Sequence, residues 1–311
     1  SYVVTSPTTS GREDYDLTFR GNADGTLVIT DAKGNEVKNE AVKANTNVVT
    51  AVKLTEGVND YSITFTPDAD YAPGAHQKLT SYDAVTFAHS VTYKTFSTDT
   101  NIVYVSPEGL ATNNGTKESP LDIYTAVAYA RAGQKIVLAG GTYNLNKTIV
   151  TNRGVDGTEG SLIYMIADPQ ATERPVFDFN SACAGMVLAG DYWYFQGFDV
   201  TNSANAQKGI QLSGKYNTMD NIMTYHNGNT GLQVSRYLTT DEFDMWPAYN
   251  LILNCTSYGN ADAGYEDADG FAAKLTVGNN VVFDGCISYY NADDGWDLFA
   301  KVETGSIGMV T

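Results

Sequence analysis

The sequence predicts an all-β protein in which a small N-terminal β-sandwich, residues 1–98, is followed by a parallel β-helix, residues 99–311. Two observations support this fold class. The first part alternates polar and apolar residues in short segments between turn sequences, and the second part repeats a glycine-led apolar run. Alternation with a period of two is typical of half-buried strands, and a regular longer repeat is typical of stacked coils.

The N-terminal part contains segments with strand-like alternation and no helical period. The sequence Asp-Ala-Lys-Gly-Asn at 31–35 predicts a hairpin turn. Short strands at this spacing favour a β-sandwich, and no catalytic constellation stands out among them. The predicted strands are 15–19, 26–30, 48–54, 61–65 and 84–89.

The second part is expected to begin with a cap after the polar stretch 97–101. Its first residues predict a strand and then a helix, in which Ser119 caps the N-terminus, Pro120 fits the first turn and Gly133 ends the helix. One amphipathic helix before many short strands would cover the first coil of a solenoid, whose core is otherwise exposed.

Glycines open the repeated runs at spacings of 24, 22, 39 and 25 residues, and the third spacing contains an insertion at about residues 236–248. Because strand side chains alternate, the first residue after each glycine should point inward and the second outward. The glycines are Gly185, Gly209, Gly231, Gly270 and Gly295; the inward column is Met186, Ile210, Leu232, Phe271 and Trp296; the outward columns are Val187, Gln211, Gln233, Ala272 and Asp297, then Ala189, Ser213, Ser235, Lys274 and Phe299.

A second run in each coil ends near an asparagine. Buried asparagines at the turns of a parallel β-helix can hydrogen-bond one another along the axis, so the sequence predicts an asparagine ladder. Cys255 and Cys286, five residues before two of these asparagines, are interpreted as core packing residues. The predicted ladder is Asn202, Asn227, Asn260 and Asn291.

Aspartates flank the glycines of the last two coils, namely Asp269 in one and Asp293, Asp294 and Asp297 in the next. The register stacks Asp269 on Asp294, with Asp293 beside them and Asp297 on the outer face. Such carboxylates repel one another unless a cation holds them, and Ca²⁺ prefers about six to eight oxygen ligands. The sequence therefore predicts an open calcium site, with simple Asp-Gly turns as the alternative interpretation.

The phrases Asp-Ala-Asp-Gly-Phe-Ala-Ala-Lys at 267–274 and Asn-Ala-Asp-Asp-Gly-Trp-Asp-Leu-Phe at 291–299 resemble the pectate lyases of polysaccharide lyase family nine. The likeness runs from about residue 101 to the end. It implies a right-handed parallel β-helix, and it implies that the calcium ligands are Asp269, Asp293, Asp294 and Asp297. It also implies β-elimination, in which calcium binds a uronate carboxylate, a base removes the C5 proton and the C4 oxygen leaves.

The resemblance also implies that the catalytic base is a neutral lysine. In the family this lysine lies in a Gly-Phe-Lys-Leu-type phrase, one coil beyond Asp-Asp-Gly-Trp-Asp. The sequence reaches Thr311 before such a coil, and we therefore expect it to be truncated at the C-terminal end. Within the chain, Lys274 is the best substitute for the catalytic base and also a candidate to bind a substrate carboxylate, followed by Lys301. Arg236 is a second candidate for binding a substrate carboxylate.

Aromatic residues of the insertion, Phe243, Trp246 and Tyr249, either stack on sugar rings or fix the loop, and His226 is interpreted as structural. The chain has 36 acidic and 19 basic residues, a formal charge of -17, which disfavours nucleic acid and membrane as partners. We expect a monomer that is secreted, periplasmic or at the cell surface and that binds an anionic pectic polysaccharide.

The first functional hypothesis is a calcium-dependent polysaccharide lyase that cleaves homogalacturonan. A rhamnogalacturonan I lyase of the same family is a close alternative, because the metal site contacts only the uronate. A metal-independent glycosidase would need paired acid and base carboxylates, and its Gly-His-Gly and Arg-Ile-Lys signatures are absent. A non-catalytic, glycan-binding β-helix stapled by calcium is the remaining alternative.

Overall fold

In the computed structural model the chain divides into two compact units, Ser1–Thr95 and Phe96–Thr311. The structure describes residues 2–4, 6–75, 77–96 and 100–311. The predicted boundary between residues 98 and 99 and most of the polar stretch around it lie outside the described residues, so the boundary stays a prediction. Among the described residues, no helix is long and apolar enough to span a membrane.

The first unit consists of two β-sheets that enclose one apolar core. Leu17 and Phe19 come from one sheet and pack with Leu27, Ile63 and Phe65 from the other. Its strands are β1 (Tyr2–Val4), β2 (Thr9–Ser10), β3 (Asp14–Gly21), β4 (Gly25–Asp31), β5 (Glu36–Val42), β6 (Val48–Lys53), β7 (Gly57–Pro67) and β8 (Val85–Tyr93). The sheet orders are β1-β3-β6 and β2-β8-β7-β4-β5, and the pairings are antiparallel except for β2 with β8.

The hairpin predicted at 31–35 is confirmed and joins β4 to β5. Gly34 N donates to Asp31 O at 3.0 Å, and Gly34 has the left-handed φ of +82° that this turn requires. Strand β5 was missed by the sequence analysis because it lies at a sheet edge, where charged side chains such as Lys38 and Glu40 replace the apolar alternation.

The second unit is a parallel β-helix, as predicted. From β10 onward, each coil contributes one strand to each of three parallel sheets, and the first coil contributes only β9. The elements are β9 (Ile102–Val105), α1 (Ile123–Ala128), β10 (Lys135–Leu138), β11 (Gly141–Asn144), β12 (Ile149–Thr151), β13 (Ile163–Ala167), β14 (Pro175–Asp178), β15 (Met186–Leu188), β16 (Trp193–Gln196), β17 (Asp199–Thr201), β18 (Ile210–Leu212), β19 (Thr218–Asp220), β20 (Met223–Tyr225), β21 (Leu232–Val234), β22 (Leu251–Leu253), β23 (Thr256–Tyr258), β24 (Phe271–Ala273), β25 (Val282–Asp284), β26 (Ile287–Tyr289) and β27 (Trp296–Asp297).

The first sheet has the order β9-β10-β13-β16-β19-β22-β25, the second β11-β14-β17-β20-β23-β26, and the third β12-β15-β18-β21-β24-β27. The inward side chains of all three sheets form one continuous core with the buried face of α1. The predicted columns are confirmed in the third sheet, where Met186 pairs with Ile210, Ile210 with Leu232, Leu232 with Phe271 and Phe271 with Trp296.

Helix α1 begins later than the sequence predicts. Its N-cap is Asp122, whose side chain accepts from Thr125 N, and not Ser119. The prediction was wrong because Leu121 is still extended: its N donates to Tyr104 O at 2.9 Å and its side chain is buried. Pro120 therefore precedes the helix instead of forming its first turn.

The asparagine ladder is confirmed for three of its four predicted members. Asn227 Nδ2 donates to Asn260 Oδ1 at 3.0 Å, and Asn260 Nδ2 donates to Asn291 Oδ1 at 2.9 Å. In the preceding coil the ladder position is Ser203, whose N donates to Asn227 Oδ1 at 3.2 Å. Asn202 instead takes a left-handed φ of 56° and bonds Asp178, so its assignment to the ladder was wrong.

In each of these turns, the residue directly before the ladder position has a left-handed φ. In successive coils this residue is Asn202, His226, Gly259 and Tyr290. His226 packs edge-on against the rings of Tyr225 and Tyr258. Cys255 and Cys286 are free thiols, in agreement with their interpretation as packing residues.

Replacement of Asn260 by alanine should lower the free energy of unfolding of the β-helix by about 2 kcal/mol or more, because Asn227 then loses a buried acceptor. The measurement is urea unfolding followed by circular dichroism. Asn146→Ala, at an exposed asparagine, is the control and should change stability by less than about 0.5 kcal/mol. An equally small effect of Asn260→Ala would contradict the ladder's role.

Candidate metal and substrate site

Backbone hydrogen bonds between coils stack the residues that directly precede the glycines at the start of each repeated run. Gly231 N donates to Asp269 O, and Gly270 N donates to Asp294 O, each at 2.9 Å. This register places Asp269 and Asp294 next to each other in neighbouring coils. Asp297, at the end of β27, pairs with Ala272 and so lies on the outer face of the same two coils.

The carboxylates of Asp269, Asp294 and Asp297 form one acidic cluster. One oxygen atom from each lies within 4.8 Å of the others. Asp269 is fully buried, Asp297 is half-buried and Asp294 is exposed, so the cluster has a protein-enclosed side and an open side. We call these three residues the acidic cluster.

Asp293, the fourth predicted ligand, lies outside the acidic cluster and is exposed. Its N donates to Ala268 O at 3.0 Å, which places its backbone beside the site. Desolvation, and then the negative charges of Asp294 and Asp269, raise the pKa of Asp293 above its ordinary value. Its carboxylate therefore lies in the electrostatic field of the cluster, while its role as a metal ligand stays a prediction.

Three protein donors fix the buried Asp269 side chain, and one of them is the ammonium of Lys274. Thr230 Oγ1 donates to Asp269 Oδ2 at 3.1 Å, and Asp294 N donates to Oδ1 at 3.3 Å. Thr230 is fully buried and belongs to the preceding coil, at the position that stacks on Asp269. The sequence analysis missed Thr230, although its place directly before Gly231 was the available signal.

Lys274 neutralises part of the acidic cluster. Its Nζ lies 2.7 Å from Asp269 Oδ2 and 2.8 Å from Asp297 Oδ2. Burial alone would lower the pKa of Lys274, but the hydrogen bonds to these two carboxylates outweigh burial and raise it above the ordinary lysine value. The two ion pairs favour the ammonium form of Lys274, whereas a catalytic base must be neutral, and both of its predicted roles stay predictions.

Among the described residues, the ion pairs of the acidic cluster involve Lys274 and neither Arg236 nor Lys301. The backbone of Arg236 is fixed at the start of the insertion, where its N donates to Thr276 Oγ1 and its O accepts from Gln211 Nε2, each at 2.9 Å. Lys301 is exposed, with its Nζ 5.9 Å from the ring centroid of Phe299.

The insertion is anchored by an ion pair between the buried Asp241 and the partly buried Arg153, which the sequence analysis did not find. Arg153 Nη1 donates to Asp241 Oδ1 at 3.0 Å, and the buried Trp246 donates from Nε1 to Asp241 O at the same distance. Tyr249 stacks on Tyr216 with ring centroids 4.8 Å apart. The buried Trp246 therefore fixes the loop, whereas Tyr249 is stacked but 46% exposed and keeps both interpretations. Phe243, in the short 3-10 helix Phe243–Met245, is 46% exposed.

Two family models match the chain. "Pel9A-like, right handed beta helix region" matches residues 103–311, and "Pectate disaccharide-lyase central Ig-like domain" matches residues 3–85. The chain belongs to the Pel9A-like family, and the right-handed parallel β-helix that the resemblance implied is confirmed.

Named relatives agree with this family. Pectate lyase L of Thermoclostridium stercorarium is 39% identical over 311 residues, covering 100% of this chain and 24% of that protein. Pectate lyase L of Paenibacillus polymyxa (strain SC2) is 46% identical over 215 residues, covering 67% of this chain and 47% of that protein. The chain thus spans less than half the length of these relatives.

The crystal structure of pectate lyase Pel9A is also similar. It superposes with a TM-score of 0.56 at 35% sequence identity, and the match covers 64% of this chain and 50% of that one. The coverage is comparable to that of the β-helix unit, in which the acidic cluster lies.

Proposed function

We propose that the protein is a calcium-dependent polysaccharide lyase that cleaves homogalacturonan, the galacturonate backbone of pectin, by β-elimination. The observation that carries this proposal is the acidic cluster on two adjacent coils of a Pel9A-like β-helix. The names of the similar proteins, pectate lyase and pectate disaccharide-lyase, support the same reaction. We further propose that the protein acts as a monomer outside the cytoplasm.

The donor set fits calcium. The acidic cluster offers carboxylate oxygens, the hard ligands that calcium prefers, and its three negative charges exceed the single positive charge of Lys274. We propose that Asp269, Asp294 and Asp297 hold the ion together with Asp293. A calcium ion bound there would withdraw charge from a substrate carboxylate and so acidify the C5 proton beside it.

The surrounding residues would orient both the ion and the sugar. Asp269 keeps one orientation because Thr230 and the backbone of Asp294 bond its two oxygens. Asp294 faces solvent, so an extended polymer can approach from that side. A fixed ligand on the protein side and an open side toward solvent are what a substrate-bridging cation requires.

Lys274 suits a charge-balancing role better than the role of base. Its two ion pairs show that it can bind carboxylates of this geometry, and a uronate carboxylate entering the site presents the same chemistry. We therefore propose that Lys274 supplies positive charge to the bound substrate. Arg236, on the outer face at the insertion, is a proposed second contact for a substrate carboxylate.

An elimination assay tests the proposed function. Polygalacturonate with calcium should give an unsaturated product that absorbs in the ultraviolet, and a chelator should abolish the signal. The double variant Asp293→Asn, Asp294→Asn should lose about a hundredfold or more of this rate, because two carboxylates no longer hold the ion. The fold should be retained, because within the described residues only the backbone groups of Asp293 and Asp294 make hydrogen bonds.

Asp284→Asn is the matched control, because Asp284 is an exposed aspartate that ends β25 in the first sheet. It should keep the wild-type rate. Full activity of the double variant would contradict the metal assignment. Elimination on rhamnogalacturonan I but not on polygalacturonate would replace the proposed substrate, and calcium-dependent binding without product would favour a glycan-binding protein.

Substitution of Lys274 separates its two candidate roles. If Lys274 supplies only positive charge, Lys274→Arg should stay within about tenfold of the wild-type rate, whereas Lys274→Met should lose about a hundredfold. Initial elimination rates at saturating calcium measure both variants. Equal loss in the arginine and methionine variants, with calcium binding intact, would instead assign Lys274 as the base, because arginine stays protonated.

A further inference from the structure

Lys208 belongs to the same column as Asp269 and Asp294, which precedes the strands of the third sheet. Gly209 N, which follows Lys208, donates to Thr230 O at 3.0 Å, and Gly231 N donates to Asp269 O at 2.9 Å. Residue 208 therefore stacks on Thr230 as Thr230 stacks on Asp269. Since neighbouring strands lie about 4.8 Å apart, the backbones of Lys208 and Asp269 are about 10 Å apart along the axis.

The charge of Lys208 is not neutralised within the described part of the chain. No hydrogen bond or ion pair of its ammonium is found among residues 2–4, 6–75, 77–96 and 100–311, whereas Lys274 contacts two carboxylates. Lys208 is also partly buried. Burial, and then the positive charge of Lys274, lower the pKa of Lys208, as expected for an ammonium that lacks a counter-charge.

An acidic polymer bound at this face needs more than one cation. A polyuronate carries carboxylates along its length, and the exposed Asp293 and Asp294 repel every carboxylate that is not neutralised. A chain that runs along the coil axis from the acidic cluster passes the position of Lys208. A partly desolvated ammonium without a protein partner gains a strong charge-assisted hydrogen bond when a carboxylate arrives.

We propose that Lys208 binds a second carboxylate of the substrate, two coils away from the carboxylate at the acidic cluster. This inference rests on the proposed function in that it takes the ligand to be a polyuronate. It extends the binding site from the cluster along the third sheet, past the coil of the buried Thr230, to a residue that no catalytic step requires. Lys208 is thus a substrate-binding residue for a sugar further along the polymer than the one that reacts.

Distance argues against Lys208 as the catalytic base. A base must come within about 3 Å of the proton that it removes, and the reacting C5 lies next to the carboxylate at the acidic cluster. To reach that proton, Lys208 would have to span a backbone separation of about 10 Å along the axis, so we assign its ammonium to a different sugar. Its loss should therefore weaken binding and leave the chemical step in place.

The test compares Lys208→Gln with the wild-type protein in the presence of calcium. The Kd for a saturated oligogalacturonate, measured by isothermal titration calorimetry, and the KM for polygalacturonate should each rise about tenfold or more, the loss expected for one charge-assisted hydrogen bond. The kcat should stay within about twofold. Lys208→Arg should restore most of the affinity, because the positive charge is kept.

Two controls isolate the effect. Lys117→Gln removes an exposed lysine whose Nζ contacts Gln170, a residue that follows β13 of the first sheet. Because this lysine is not in the column of Lys208 and Asp269, the substitution should leave Kd and KM unchanged. Calcium titration without sugar should give the same affinity for Lys208→Gln as for the wild type, because Lys208 contacts no cluster carboxylate.

An unchanged Kd in Lys208→Gln, or a large fall in kcat at constant KM, would overturn the proposal. If the wild type binds the oligogalacturonate but forms no unsaturated product, the proposed lyase function fails while the binding comparison still decides the role of Lys208. If the wild type binds no oligogalacturonate at all, both the substrate assignment and this inference fail.

Discussion

The backbone pairing between coils is the constraint on which the candidate site depends. Every residue of the acidic cluster comes from a short strand or turn that is held in register by the coil before it. A shift of one residue would exchange the inward and outward columns and send Asp297 into the apolar core. The buried ladder of Asn227, Asn260 and Asn291 opposes such a shift, because its amides bond only in the present register.

The proposed function requires so acidic a protein to bind an acidic polymer, and charge compensation is the means by which it would do so. The acidic cluster collects negative charge at one place, and Lys274 balances only part of it. A divalent cation would reverse the sign of the site locally, while Lys208 offers a separate positive charge further along the same column. The insertion is anchored through the ion pair of Arg153 and Asp241.

The sequence predicted the register and the acidic cluster because both follow from local spacing. The glycines mark the start of each strand, and the alternation of side chains then determines which residues point inward and which outward. Errors arose where the position of a side chain depends on contacts with residues distant in the sequence. Asn202 and Ser203 compete for one ladder position, and only the three-dimensional turn shows which side chain points inward. Thr230 and Lys208 belong to no sequence motif. Their candidate roles become visible only in the structure, from the residues that stack next to them in neighbouring coils.

The central claim is that the acidic cluster binds a divalent cation, and a crystal structure of the protein grown with calcium tests it most directly. We expect an ion bonded to Asp269, Asp294 and Asp297, at about 2.3 to 2.6 Å from their oxygens, with Lys274 displaced from at least one of its two carboxylates. Lys274 still bridging Asp269 and Asp297, with no ion bound at millimolar calcium, would contradict the account.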